Sequence, residues 1–98
     1  MSEEIVNSIL HEPSRLLIVL KLYPLECADF SYLARETNMA KGNLSQHLQK
    51  LEQAGIVVIT KEFVGKIPRT IIQLTRSGRE SLKEYKKNVT ELLHDIET

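Results

Sequence analysis

Ninety-eight residues make one domain, enough for a single core but not for a catalytic or sensory domain beside it. With 42% hydrophobic and 27% charged residues the chain has the composition of a folded protein, not a disordered one, and its longest apolar run, Leu16 to Leu20, is too short to cross a bilayer. The net charge of zero speaks at first against a polyanionic partner, yet the charge is unevenly spread. Residues 1–31 carry two basic side chains against five acidic ones, residues 32–70 six against three, and residues 71–98 five against five.

The start, Met1-Ser2-Glu3-Glu4, is acidic and has neither the basic nor the apolar region of a signal peptide. A lone cysteine, Cys27, has no partner for an internal disulfide and suits a reducing compartment. A cytoplasmic protein without a membrane partner is expected.

Ser2 is a candidate cap for a first helix, with Glu3 and Glu4 near its positive end and Ile5, Ile9 and Leu10 along one side. Pro13 suits the first turn of a second helix, where its missing N–H costs nothing. Leu16, Leu17, Val19 and Leu20 give that helix a broad face to bury, and Pro24 ends it. Asp29 caps the next helix, through Phe30, Leu33 and Ala34 to about Glu36.

Thr37 to Ala40 breaks the pattern, and Asn38 tolerates the left-handed backbone that a tight turn between helices needs. A further helix follows from about Lys41 to Ala54, with Leu44, Leu48 and Leu51 as its inner stripe and Gly55 as its stop. Ile56 to Thr60 is β-branched and too short for a helix; it reads as a strand running to Phe63. Val64-Gly65-Lys66 turns the chain into a second strand, Thr70 to Leu74, with Thr70, Ile72 and Leu74 on one face. Pro68 at its start points to an edge near a hairpin tip. Thr75 caps a long last helix in which Leu82, Tyr85, Val89, Leu92 and Ile96 form a heptad seam.

Two helices joined by a short turn and followed directly by a hairpin make a winged helix-turn-helix: mainly α, with a small β-hairpin wing. One domain, 1–98, is expected, with the helix pair at about 30–54, the wing at about 56–75 and a C-terminal helix at about 76–96. Ala34, Asn38 and Leu44 fall where this motif wants a small residue, a turn residue and a branched apolar residue.

With the leucines inward, the outer face of the second helix of the pair carries Lys41, Asn43, Ser45, Gln46, Gln49 and Lys50. Amides pair bidentately with adenine and a hydroxyl serves several bases, while Lys41 at the helix start favours a phosphate. The hairpin adds Lys61, Lys66 and Arg69, suited to phosphates or a minor groove. These side chains read equally as a solvated face and as a charged strand edge that discourages aggregation. His47 suits either a phosphate contact or packing on the preceding helix. One copy has few basic contacts and should bind weakly, so a homodimer is expected. Leu82, Tyr85, Val89, Leu92 and Ile96 are its expected interface, with Ile5 and Ile9; packing of the same residues on the chain's own core is the alternative.

The run Asn43-Leu44-Ser45-Gln46-His47-Leu48-Gln49-Lys50-Leu51-Glu52-Gln53-Ala54-Gly55-Ile56-Val57 resembles the recognition-helix segment of the ArsR and MarR groups of transcription regulators. Ser45-Gln46-His47-Leu48 is similar to ArsR proteins. Leu74-Thr75-Arg76-Ser77-Gly78-Arg79 is similar to the LT-x-x-G junction of MarR proteins, and His11 to Leu16 also matches compact members. The resemblance spans about residues 11–85. It implies a dimeric regulator of double-stranded DNA, one recognition helix in each of two major grooves, with Asn43, Ser45 and Gln46 entering the groove.

The same residues bear on three other readings. A metal- or redox-responsive ArsR-like sensor would carry paired cysteines, whereas Cys27 stands alone; His11, His47 and His94 lack short metal-ligand spacing, so no metal or cofactor is expected and Cys27 is expected to be partly buried and inert. A winged helix that docks protein should expose aromatic or large aliphatic residues. An enzyme should show a phosphate-cradling loop, a nucleophile elbow or a paired ligand motif, and none is present.

Overall fold

The computed structural model describes residues 6–96. In chain order they form α1 (Pro13–Leu22), β1 (Ala28–Asp29), α2 (Phe30–Thr37), α3 (Lys41–Gln53), β2 (Val57–Val64), β3 (Ile67–Leu74) and α4 (Arg76–Leu92). The strands make one antiparallel sheet in the order β1-β3-β2. Ser2 and Ile5 lie outside the described residues. Residues 6–12, expected to continue a first helix, form a turn instead: the Asn7 carboxamide oxygen accepts from the N–H groups of Ile9 and Leu10 and so closes the loop locally.

The other helix boundaries follow from their caps. Pro13 opens α1, and the Glu12 carboxylate accepts from Arg15 N–H at 2.7 Å. Asp29 does the same for α2 through Tyr32 N–H, and Thr75 for α4 through Gly78 N–H. Asn38 ends α2 at φ 56°, ψ 35°, the left-handed corner expected of it. α3 stops at Gln53, Gly55 follows at positive φ, and a two-residue turn at Gly65-Lys66 joins β2 to β3.

Leu44, Leu48 and Leu51 of α3 pack into one core with Ile18, Val19 and Leu22 of α1, Leu33 of α2 and Ile72 and Leu74 of β3. The face of α1 differs from expectation. Ile18, Val19 and Leu22 are buried, whereas Leu17 and Leu20 face outward, Leu20 being 51% exposed. A helix apolar all round carries no phase, so its buried side is set by its neighbours.

The heptad of α4 is likewise divided. Leu82 and Tyr85 belong to the chain's own core, Val89 is half-buried, and Leu92 and Ile96 are exposed, Ile96 lying beyond the last helical residue. Tyr85 also shares a 2.8 Å hydrogen bond with Nδ1 of His11, tying α4 to the turn before α1.

β1 was not anticipated. Ala28 pairs with Ile72 and Asp29 with Ile71, so two residues attach the wing's inner strand to the start of α2. Pro68 lies opposite Phe63, beyond the reach of β1. There its missing N–H falls on an unpaired edge.

Candidate nucleic-acid interface

α3 presents two sides of opposite character. Leu44, Leu48 and Leu51 are at most 2% exposed, and Lys41, Asn43, Ser45, Gln46, Gln49 and Lys50 are all exposed. The helix thus projects one row of amides, a hydroxyl and two ammonium groups into solvent. Its N-cap, Ala40, has no side chain to accept from the first turn, so those N–H groups point outward with Lys41 beside them. The positive end of the helix dipole adds to the same corner.

His47 leaves this row and turns toward α1. Its Nδ1 lies 3.5 Å from an Arg15 guanidinium nitrogen and 4.0 Å from the Glu12 carboxylate. Arg15 in turn donates from Nε to the carbonyl of Ile9 at 2.7 Å. This polar cluster ties the middle of α3 to the start of α1. Of the two roles open to His47, packing against neighbouring elements is the one the structure builds.

On the wing, Lys61, Lys66 and Arg69 are exposed. Arg69 reaches back to Asp29, with 3.4 Å between guanidinium and carboxylate, about half of its side chain remaining in solvent. Asp29 therefore caps α2, pairs in the sheet and faces a wing cation at once. Lys66 lies beyond that pair at the hairpin turn, and Lys61, opposite Thr70, stands between the levels of Asp29 and Arg69. The strand alternation puts Lys61 on the same face as Thr70, and Arg69 on the face of Glu62.

Cys27 is exposed, contrary to the expectation of partial burial, because it precedes the two-residue strand and lies outside the core. Among the described residues no group of three or more His, Cys, Asp or Glu side chains could hold a metal ion, and no helix is long and apolar enough to cross a membrane. Sequence reasoning missed the exposed apolar residues Phe63, Val64 and Ile67 at the wing tip. The signal was there: all three lie beyond the last strand residues needed for the core.

A helix pair with a polar outer face, backed by a three-stranded sheet with a projecting hairpin, defines a winged helix protein, a class of transcription regulators and not of enzymes. The chain belongs to the winged helix DNA-binding domain family, whose model matches residues 14–93. It is 37% identical over 94 residues to an uncharacterized protein of Methanocaldococcus jannaschii, covering 96% of this chain and 98% of that one. The structure of a transcriptional regulator homologue protein from Pyrococcus horikoshii OT3 is similar with a TM-score of 0.87 and 30% identity, over 96% of this chain and 94% of that one. NadR, solved in complex with 4-hydroxyphenylacetate, has a TM-score of 0.73 at 27% identity; the match covers 94% of this chain but 64% of NadR. The resemblance to MarR-type regulators read from the sequence therefore holds at the level of the fold.

Proposed function

We propose that this protein is a sequence-specific, double-stranded DNA-binding transcription regulator that acts as a homodimer. The single observation that carries the reading is the two-sided α3, with three leucines locked into the core and six polar residues free on the other side. Asn43, Ser45 and Gln46 read base edges in the major groove, Gln49 and Lys50 continue the contact, and Lys41 with the open helix start holds a phosphate. Lys61, Lys66 and Arg69 grip the backbone on either side of the neighbouring minor groove. Membership of the winged helix DNA-binding family and likeness to the Pyrococcus regulator homologue support this assignment.

Apolar surface that one copy leaves uncovered supports the dimer. Leu16, Leu20, Tyr23 and Val89 line an open groove of about 550 Å³ between α1 and α4. Leu92, Leu93 and Ile96 continue it, each more than half exposed. A second copy, related by a two-fold axis, would cover this face and place two recognition helices about 34 Å apart. Leu82 and Tyr85, buried in the chain's own core, line the same groove beside Val89.

Selection of bound duplexes from a random DNA pool tests both parts together. A palindromic consensus with half-sites one helical turn apart is expected. A pool that emerges without enrichment would overturn sequence-specific recognition.

A further inference from the structure

The wing changes character along its length. Near the body, Ile59 and Ile72 face each other and serve the core. A polar belt follows, with Lys61 opposite Thr70 and Glu62 opposite Arg69. Beyond the belt the hairpin becomes apolar again, at a point where no other described element covers it. Phe63, Val64 and Ile67 are 73%, 52% and 66% exposed, and Pro68 is exposed beside them.

The register places these side chains on both faces. Phe63 opposes Pro68 on the face that continues the core, and Val64 opposes Ile67 on the other. The tip is thus a wedge, apolar on either side, with Lys66 at its apex. A ribbon that docked on a protein surface or on a second copy would need one apolar face. Apolar residues on two faces fit an occupant with two walls. Beside the wedge the cations Lys61, Lys66 and Arg69 outnumber Glu62, and Arg69, which faces Asp29, keeps about half of its side chain in solvent; this excess favours a polyanion at the wedge's rim.

We infer that the wing tip is a hydrophobic wedge that enters the minor groove of duplex DNA and partly unstacks a base step, bending the duplex as it binds. This rests on the DNA-binding reading above and adds a mode of engagement to it. The groove of B-form DNA is about 6 Å wide, too narrow for a ribbon with side chains on both faces. Entry therefore requires local widening, which unstacking supplies, and apolar side chains such as Phe, Ile and Pro are suited to hold an opened step. Lys61 and Arg69, set back from the tip, then meet the phosphates of the two walls. The wedge gives the protein affinity that does not depend on counterion release, which suits a chain of zero net charge.

The test uses the full-length chain and a duplex of about 30 base pairs taken from its own selected pool, carrying a donor and an acceptor dye at its ends. Wild-type protein should shorten the end-to-end distance on binding. The double variant Phe63→Ser, Ile67→Ser should bind about ten-fold more weakly, leave the duplex straight, and keep the slope of log affinity against log salt. Lys66→Ala should instead lower that slope by about one contact and retain the bend. Both positions are exposed, so circular dichroism should show all variants folded. A double variant that binds and bends like wild type overturns the wedge while leaving DNA recognition intact. So does one whose only change is in its state of association, which would make the tip a contact between copies. Failure of the folded wild-type chain to bind any duplex overturns the wedge together with the reading beneath it.

Discussion

Gly78 is packed directly on the backbone of Ile56: a Cβ on this residue would run into the Ile56 carbonyl oxygen, with the carbonyl carbon 3.0 Å away. The same carbonyl accepts from Thr75 N–H at 3.0 Å, and the Thr75 hydroxyl accepts from Gly78 N–H at 2.8 Å. Thr75 and Ser77 hydroxyls donate to the carbonyl of Gly55 next door. The junction between sheet and α4 is therefore closed by backbone approach, which gives a physical reason for the Leu-Thr-x-x-Gly spelling at 74–78. Gly78→Ala should lower stability by about 2–3 kcal/mol, even though alanine is the better helix former. A fall in the urea midpoint at constant slope is the expected readout. A midpoint that rises would mean that helix propensity outweighs the clash.

Asn38 supplies a second backbone test. Its φ of 56° sets the angle between α2 and α3. Asn38→Ala should cost about 1–2 kcal/mol, because alanine meets the full left-handed penalty. Asn38→Gly should stay within about 0.5 kcal/mol of wild type, since glycine adopts that conformation freely. Thermal melts of the two variants give the comparison, and equal losses would contradict the turn's conformational origin.

The two DNA-facing elements should separate in their response to salt and to sequence. Gln46→Ala is expected to cost about 1–3 kcal/mol at one base position and little elsewhere. Lys61→Ala should weaken every duplex alike and reduce the log–log salt slope by about 0.9. Fluorescence anisotropy on matched and mismatched duplexes distinguishes them; a uniform loss from both substitutions would remove the distinction between base reading and backbone grip.

Apolar residues on the terminal helices fall into two groups with different predicted phenotypes. Leu20 is 51% exposed and Leu92 53%, so Leu20→Lys or Leu92→Lys should leave the fold intact and shift sedimentation toward monomer. Leu82 is 8% exposed, and Leu82→Ala should destabilise the chain itself by about 2–5 kcal/mol. Monomeric wild-type protein at micromolar concentration would leave the exposed leucines without their proposed partner.

Most of the fold could be read from residues whose chemistry acts locally. Pro13, Asp29, Asn38, Gly55 and Thr75 each fix a helix end through a ring, a cap or a positive φ, and each does so in the structure. The three leucines of α3 announced their side because polar residues alternate with them. What escaped depends on distant partners. β1 is two residues long, below any periodic signal, and exists only because β3 runs beside it. The pairing of Arg69 with Asp29 spans forty positions of sequence and follows from that same strand. In α1 the run Leu16–Leu20 is apolar on every side, so the elements packed against it, α2, α3 and β3, decide which residues are buried, and Leu20 is left uncovered. The heptad of α4 marks one side of a helix correctly but is silent on whether the covering surface comes from the same chain.

Asp29 stands where three parts of the molecule join. It terminates a strand, begins a helix and faces a cation on the hairpin. At this residue the hairpin and the helix pair are joined directly. A force applied to the far end of the hairpin has a short route, through Arg69 and the Ile71 rung, to the first turn of α2. Whatever the hairpin touches is therefore two contacts away from the helix pair.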